Sequence, residues 1–233
     1  VSVQVLEQEV HTVSYSPYPT IGGEVLSPGA VMSAERFAEL ADGVHELSPE
    51  AVIAISLWGE VSLHPQISRL INIVAERPPL RLLVETSGVG WRPEDREVLF
   101  GQECVTVIVG LDTNDRETYR AVRGEGFDEA MEFANEALSA IPSRAYVQAV
   151  RCDLTEPTLE QFYKEWKAKT ENVIIQKYDW WCGELPDRRV SDLAPVKRFP
   201  CWHLQRDLSV LVDGTVPLCR EDLHRTRMLG NVF

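Results

Sequence analysis

The first hundred residues contain no cysteine, and the whole chain of 233 residues has five: Cys104, Cys152, Cys182, Cys201 and Cys219. So sparse and odd a set excludes a disulfide scaffold. Positive charge is scarce too, with 23 Lys and Arg against 36 Asp and Glu and a formal net charge of −13. That balance repels polyanions, so neither nucleic acid nor an anionic membrane is expected as a partner. No apolar run approaches the ~20 residues that cross a bilayer. A basic-then-apolar leader is also missing, and the expected location is the cytoplasm. Glycine patterns for nucleotide phosphates are absent, and Glu85-Thr86-Ser87-Gly88 is not a nucleophile elbow. The sequence opens on Val1 and stops at Gly230-Asn231-Val232-Phe233, which reads as a segment of a longer polypeptide.

What is present is an ordinary globular composition, 44% hydrophobic and 25% charged, enough for one substantial domain with a small appendage. Short apolar runs alternate with helical patterns. Strands are expected at Val3–Val5, Ala51–Leu57, Arg81–Glu85, Val105–Val109, Ala145–Val150 and Asn172–Gln176. Helices are expected after a Ser33 N-cap and over 66–75, 93–100, 115–122, 127–138 and 159–166. Continuous apolar strands alternating with helices predict an α/β protein with parallel strands. From Lys177 the pattern changes to an aromatic-rich stretch, Tyr178-Asp179-Trp180-Trp181-Cys182-Gly183. A hairpin is then expected from Leu208–Val212 and Thr215–Cys219 about Asp213-Gly214.

Ligands of α/β proteins gather at the carboxyl ends of strands. Ile53 to Leu57 runs into Trp58-Gly59-Glu60, placing a glycine and a carboxylate at such an end. Glu60, Glu85, Asp112 and Asp153 stand at or beyond four successive strand ends. In a barrel they would converge for acid–base chemistry or a divalent cation. Cys182, Cys201, His203 and Cys219 have the chemistry of a zinc or iron–sulfur site, whereas Cys104 and Cys152 lie in strand contexts and are expected in the core. Trp180, Trp181 and Trp202 suit either packing of the tail on the barrel or a groove for a protein partner.

These segments carry a family resemblance. Leu57-Trp58-Gly59-Glu60-Val61-Ser62-Leu63-His64-Pro65 resembles the Gly-Gly-Glu-Pro-Leu-Leu-His-Pro segment of radical SAM proteins, with Trp58 in place of the first glycine. Glu85-Thr86-Ser87-Gly88 resembles their Thr-Asn-Gly strand end. Gly110-Leu111-Asp112, Glu117-Thr118-Tyr119-Arg120 and Arg123-Gly124 follow in the family's order. Cys201, Gly214 and Cys219, with Phe199-Pro200 before and Leu229-Gly230-Asn231-Val232 after, are similar to the opening of a SPASM domain. The resemblance implies a partial TIM-like (β/α)6 barrel over residues 1–176 and a truncated SPASM-like module over 177–233. It implies a pocket for S-adenosylmethionine built from Trp58, Gly59, Glu60, Thr86, Ser87 and Asp112, and a peptide or protein substrate. In it, Glu60 would receive an amino group, and Ser87 or Asp112 would bind a ribose. Cys182, Cys201 and Cys219 would contribute to an auxiliary iron–sulfur cluster. The family's cluster motif, C-x-x-x-C-x-x-C, aligns with Glu9, Val13 and Ser16, just before Pro17-Tyr18-Pro19. None is a cysteine, so the sequence resembles the spiro-SPASM group with degenerate cluster motifs. Reductive cleavage of S-adenosylmethionine by this chain alone is not expected.

Overall fold

The computed structural model describes residues 1–17, 30–191 and 201–233. Tyr18, Pro19, Phe199 and Pro200, which carried part of the motif alignment, lie outside them. Seven parallel strands form the main sheet in the order β6-β5-β4-β3-β2-β1-β7. They are β1 (Ser2–Val3), β2 (Val52–Ile55), β3 (Arg81–Thr86), β4 (Val105–Gly110), β5 (Ala145–Arg151), β6 (Val173–Lys177) and β7 (Ser209–Val210). The first six lie side by side in chain order. When every parallel crossover has the same right-handed sense, that order places the helices on one face and curls the sheet. The result is the partial TIM-like barrel expected above.

The covering helices are α1 (Ala34–Leu47), α2 (Ile67–Ala75), α3 (Pro93–Gly101), α4 (Arg116–Arg123), α5 (Phe127–Ala140) and α6 (Glu156–Lys167). Their starts follow local chemistry. The Ser33 side chain accepts the Arg36 N–H, Asp115 caps α4 through the Thr118 N–H, and Pro93 occupies the first turn of α3. Phe37, Leu70, Leu99, Phe133, Phe162 and Trp166 meet the sheet in one apolar core. Alternation along β3 sends Leu82 and Val84 into that core and leaves Glu85 on the opposite, inner face. No described helix is long and apolar enough to cross a membrane.

The C-terminal hairpin is not built as expected. Ser209 and Val210 pair with Ser2 and Val3, while β8 (Thr215–Pro217) pairs with β9 (Met228–Asn231). Only the turn itself survives, with the Leu211 N–H bonded to the Thr215 carbonyl at 2.8 Å. β1 would otherwise expose an unpaired edge, and the apolar 208–212 segment satisfies it. A short four-residue helix, α7 (His203–Arg206), precedes β7.

Candidate functional site

A cavity of about 190 Å³ opens at the carboxyl ends of the strands. Its wall combines Trp58, Gly59 and Glu60 after β2 with Glu85, Thr86 and Ser87 at the end of β3. Gly110 of β4 and Gln148 of β5 complete the interior. Five of the six residues assigned to a cofactor therefore share one space.

Glu60 is buried and held from several directions. Its Oε1 accepts the Thr86 hydroxyl, and its Oε2 accepts the Ser87 N–H at 2.8 Å. Thr86 is in turn oriented by the indole N–H of Trp91 at 2.9 Å. Three buried groups thus set the aim of one carboxylate before any ligand arrives. Gly59 has φ of +87°, and a Cβ there would stand 2.0 Å from the Leu6 carbonyl oxygen. Only glycine permits this approach between the loop and the segment after β1.

Asp112 does not line the cavity. It is fully buried behind Arg123, its Oδ2 accepting the Arg123 Nε–H at 2.6 Å and the Tyr15 hydroxyl at 2.7 Å, its Oδ1 the Val150 N–H at 2.7 Å. Arg123 and Tyr15 form the wall instead. The guanidinium stays charged because the Asp112 carboxylate outweighs the burial that opposes it, and its pKa is raised. The four-carboxylate set is corrected as well. Asp153 is half exposed and paired with Arg188 at 3.1 Å, away from the cavity. Among the described residues, no three His, Cys, Asp or Glu side chains gather closely enough to hold a metal ion.

The three positions that the resemblance aligns with cluster cysteines meet at the same place: Glu9, Val13 and Ser16 all line the cavity. Glu9 Oε1 accepts the Gly59 N–H at 3.0 Å. Burial raises its pKa to about 7, the Gly59 bond opposing and the Glu60 charge reinforcing that shift. Valine offers iron no donor, and none of the three is a thiol. These residues do not fit an iron–sulfur cluster.

The Glu9 shift has a consequence for stability. A carboxyl whose folded pKa exceeds its ordinary value of 4.5 favours the fold while protonated. That contribution is full below pH ~4.5 and disappears as pH rises through about 7. Glu9→Gln, permanently neutral and still able to accept the Gly59 N–H, is expected to match the parent at acid pH and exceed it in stability above pH 7. Urea denaturation at pH 4.5 and pH 8 measures this; a variant less stable at pH 8 would contradict it.

In the tail, Trp181 packs on Trp58 with ring centroids 6.3 Å apart, joined by Leu211 and Leu223. Trp180 and Trp202 are 39% and 61% exposed, each beside its own arginine, Arg189 and Arg206. Packing of the tail on the barrel therefore holds for Trp181 alone, and the three rings do not make one groove. Cys152 is buried and Cys104 lies against the core, as expected. Cys182 donates to Glu221 at 2.9 Å, which pushes its thiol pKa up to about 11; burial raises that of Cys219. Cys201 is exposed, and His203 pairs with Asp207. No three of these side chains close into a metal set among the described residues.

Glu9, Arg123, Tyr15, Gln148 and Trp181 were not expected in the wall. Glu9 and Arg123 stood in the aligned motifs, but nothing in the pattern pointed their side chains at one space.

Residues 15–164 match the Radical SAM superfamily. An uncharacterized protein of Treponema pallidum (strain Nichols) is 37% identical over 221 residues, 88% of this chain and 61% of that one. The chain thus spans less than two thirds of that relative. Streptococcus suis SuiB bound to its precursor peptide SuiA has a TM-score of 0.76 at 11% identity, over 99% of this chain and 61% of SuiB. The native protein anSMEcpe with bound AdoMet has a TM-score of 0.74 at 16% identity, over 99% of this chain and 77% of that one. At such identities the structural likeness is one of fold, whereas the family match covers well over half the sequence. This chain belongs to the radical SAM superfamily.

Proposed function

We propose that this chain is a ligand-binding barrel that takes S-adenosylmethionine at its mouth without the iron–sulfur cluster that would cleave it reductively. One observation carries the reading: the three cluster positions, Glu9, Val13 and Ser16, line the same cavity as Trp58, Gly59 and Glu60, and none is a thiol. Glu9, Glu60 and Glu85 all face that cavity, and none forms an ion pair with a described residue. Such a wall suits a ligand with a cationic end. When bound, S-adenosylmethionine supplies an electrophilic carbon activated by its sulfonium.

The roles of the chain's own residues follow from their contacts. Glu60, already fixed by Thr86 and Ser87, receives the ligand's amino group. Ser87 supplies a hydroxyl to the ribose, with Asp112 acting only through Arg123. Trp58 and Trp181 cover the opening and exclude water. The SuiB–peptide complex supports a peptide or protein as the eventual partner. Cys182, Cys201 and Cys219 remain candidate ligands of an auxiliary cluster, one that requires their thiols to be deprotonated and brought together.

The test is calorimetric titration of the chain, expressed anaerobically, with S-adenosylmethionine. Binding is expected, and Glu60→Gln is expected to weaken it about 10- to 100-fold, the worth of a hydrogen bond to a charged group. After reconstitution with iron and sulfide, any bound iron should be lost on replacing Cys201 and Cys219 together. Iron retained in that double variant, or no heat of binding in the parent, would sink the reading.

A further inference from the structure

Glu9 occupies a place where the family resemblance calls for a thiolate, yet it is neither inert nor a replacement ligand. Its carboxylate lines the cavity and is anchored by one bond, from the Gly59 N–H at 3.0 Å. The charged groups that face it are Glu60 from the loop after β2 and Arg123 from α4, the latter already committed to Asp112 at 2.6 Å. Glu85 of β3 stands across the cavity, bonded to Gln148 at 2.9 Å. At the rim, Arg220 pairs with Asp179 at 3.3 Å, and Lys177 of β6 is exposed. Inside, three carboxylates therefore face one guanidinium that is already neutralised. Trp58 adds a second sign of a missing partner: it lines the same cavity, is 7% exposed, and its indole N–H has no acceptor among the described residues.

A bare metal ion is a poor match, because no three donors close into a coordination set among the described residues. An organic cation needs no such closure, since its charge is spread and its reach is longer. Resting on the reading above, we propose that Glu9 is the specificity-determining residue that selects the cationic end of the ligand, an ammonium or a sulfonium, and that the ligand enters with loss of a proton from the protein. Proton and ligand compete for one carboxylate. The free site is half protonated near neutrality, because burial and Glu60 disfavour the second negative charge. An incoming cation reverses that preference, so affinity rises with pH up to the point where Glu9 is already ionised.

The experiment is titration of the chain with S-adenosylmethionine from pH 5.5 to 8, in paired buffers of different ionisation enthalpy, for the parent, Glu9→Gln and Glu9→Asp. In the parent, the dissociation constant is expected to fall toward about tenfold per pH unit below pH 7 and to level off above it. Proton release should appear as a buffer-dependent heat. Glu9→Gln should bind with a flat profile and no buffer dependence, apart from the ligand's own titration, which the comparison cancels. Glu9→Asp should recover the slope. S-adenosylhomocysteine, which keeps the ammonium and lacks the sulfonium, assigns the cation: a persisting slope identifies the ammonium, a lost one the sulfonium. Binding with the same slope in the parent and in Glu9→Gln overturns this proposal and leaves the ligand pocket standing. No binding in any of them removes both.

Discussion

Asp112→Ala is expected to cost about 3–5 kcal/mol of folding stability, because it strands a buried cation. Arg123 is paired with Asp112 at 2.6 Å, with side chains 9% and 0% exposed. The same carboxylate also accepts the Tyr15 hydroxyl and the Val150 N–H. Removing it leaves the guanidinium, among the described residues, with the Tyr15 oxygen as its remaining acceptor and orphans a backbone donor. The loss therefore exceeds the worth of the pair itself, since most of it is desolvation no longer compensated. Urea denaturation measures the effect. The control is Asp153→Ala, whose half-exposed pair with Arg188 should contribute less than about 1 kcal/mol. Equal costs at the two sites would mean that Arg123 reaches water when its partner is removed.

Gly59→Ala should be nearly as damaging, through the backbone. A residue with a Cβ at φ of +87° is strained, and this Cβ would lie 2.0 Å from the Leu6 carbonyl oxygen. Strain and overpacking together are expected to cost about 2–6 kcal/mol. The function suffers for the same reason. Gly59 donates to Glu9, and the Glu60 N–H donates to the Gln8 carbonyl at 2.7 Å. Separating the loop from the 6–9 segment pulls both carboxylates out of register, so S-adenosylmethionine binding should disappear in a variant that still folds. A cost under about 1 kcal/mol with binding intact would show that the segment moves aside freely.

The two variants probe different physics at one site. Asp112 holds a wall of the cavity by charge, and Gly59 holds another by the absence of a side chain.

The order of strands and helices was legible because it rests on local signals. Apolar runs at 51–57, 81–85, 105–109 and 145–150 could only be buried strands, and Ser33 and Pro93 mark helix starts by their own chemistry. The sense of the crossovers leaves open whether such strands lie in chain order, and it was the family resemblance that implied the barrel. The motif around Trp58-Gly59-Glu60 and the lack of any cysteine before Cys104 were equally plain, because residue identity alone gives them.

Other features depended on what lies far apart in the chain. The hairpin about Asp213-Gly214 has sound local grammar, yet β7 pairs with β1, some two hundred residues away, because a sheet edge offers more partners than a turn. Asp112 and Asp153 look alike at strand ends; Arg123 claims one in the interior and Arg188 the other at the half-exposed surface. By itself the sequence determined the family and, through the resemblance, the barrel, and it places no cysteine before Cys104, since those are properties of residue type and order. Only the tertiary structure decided that Glu9 faces Glu60 and Glu85 across one cavity, because burial and electrostatic environment arise when distant segments close around the same space.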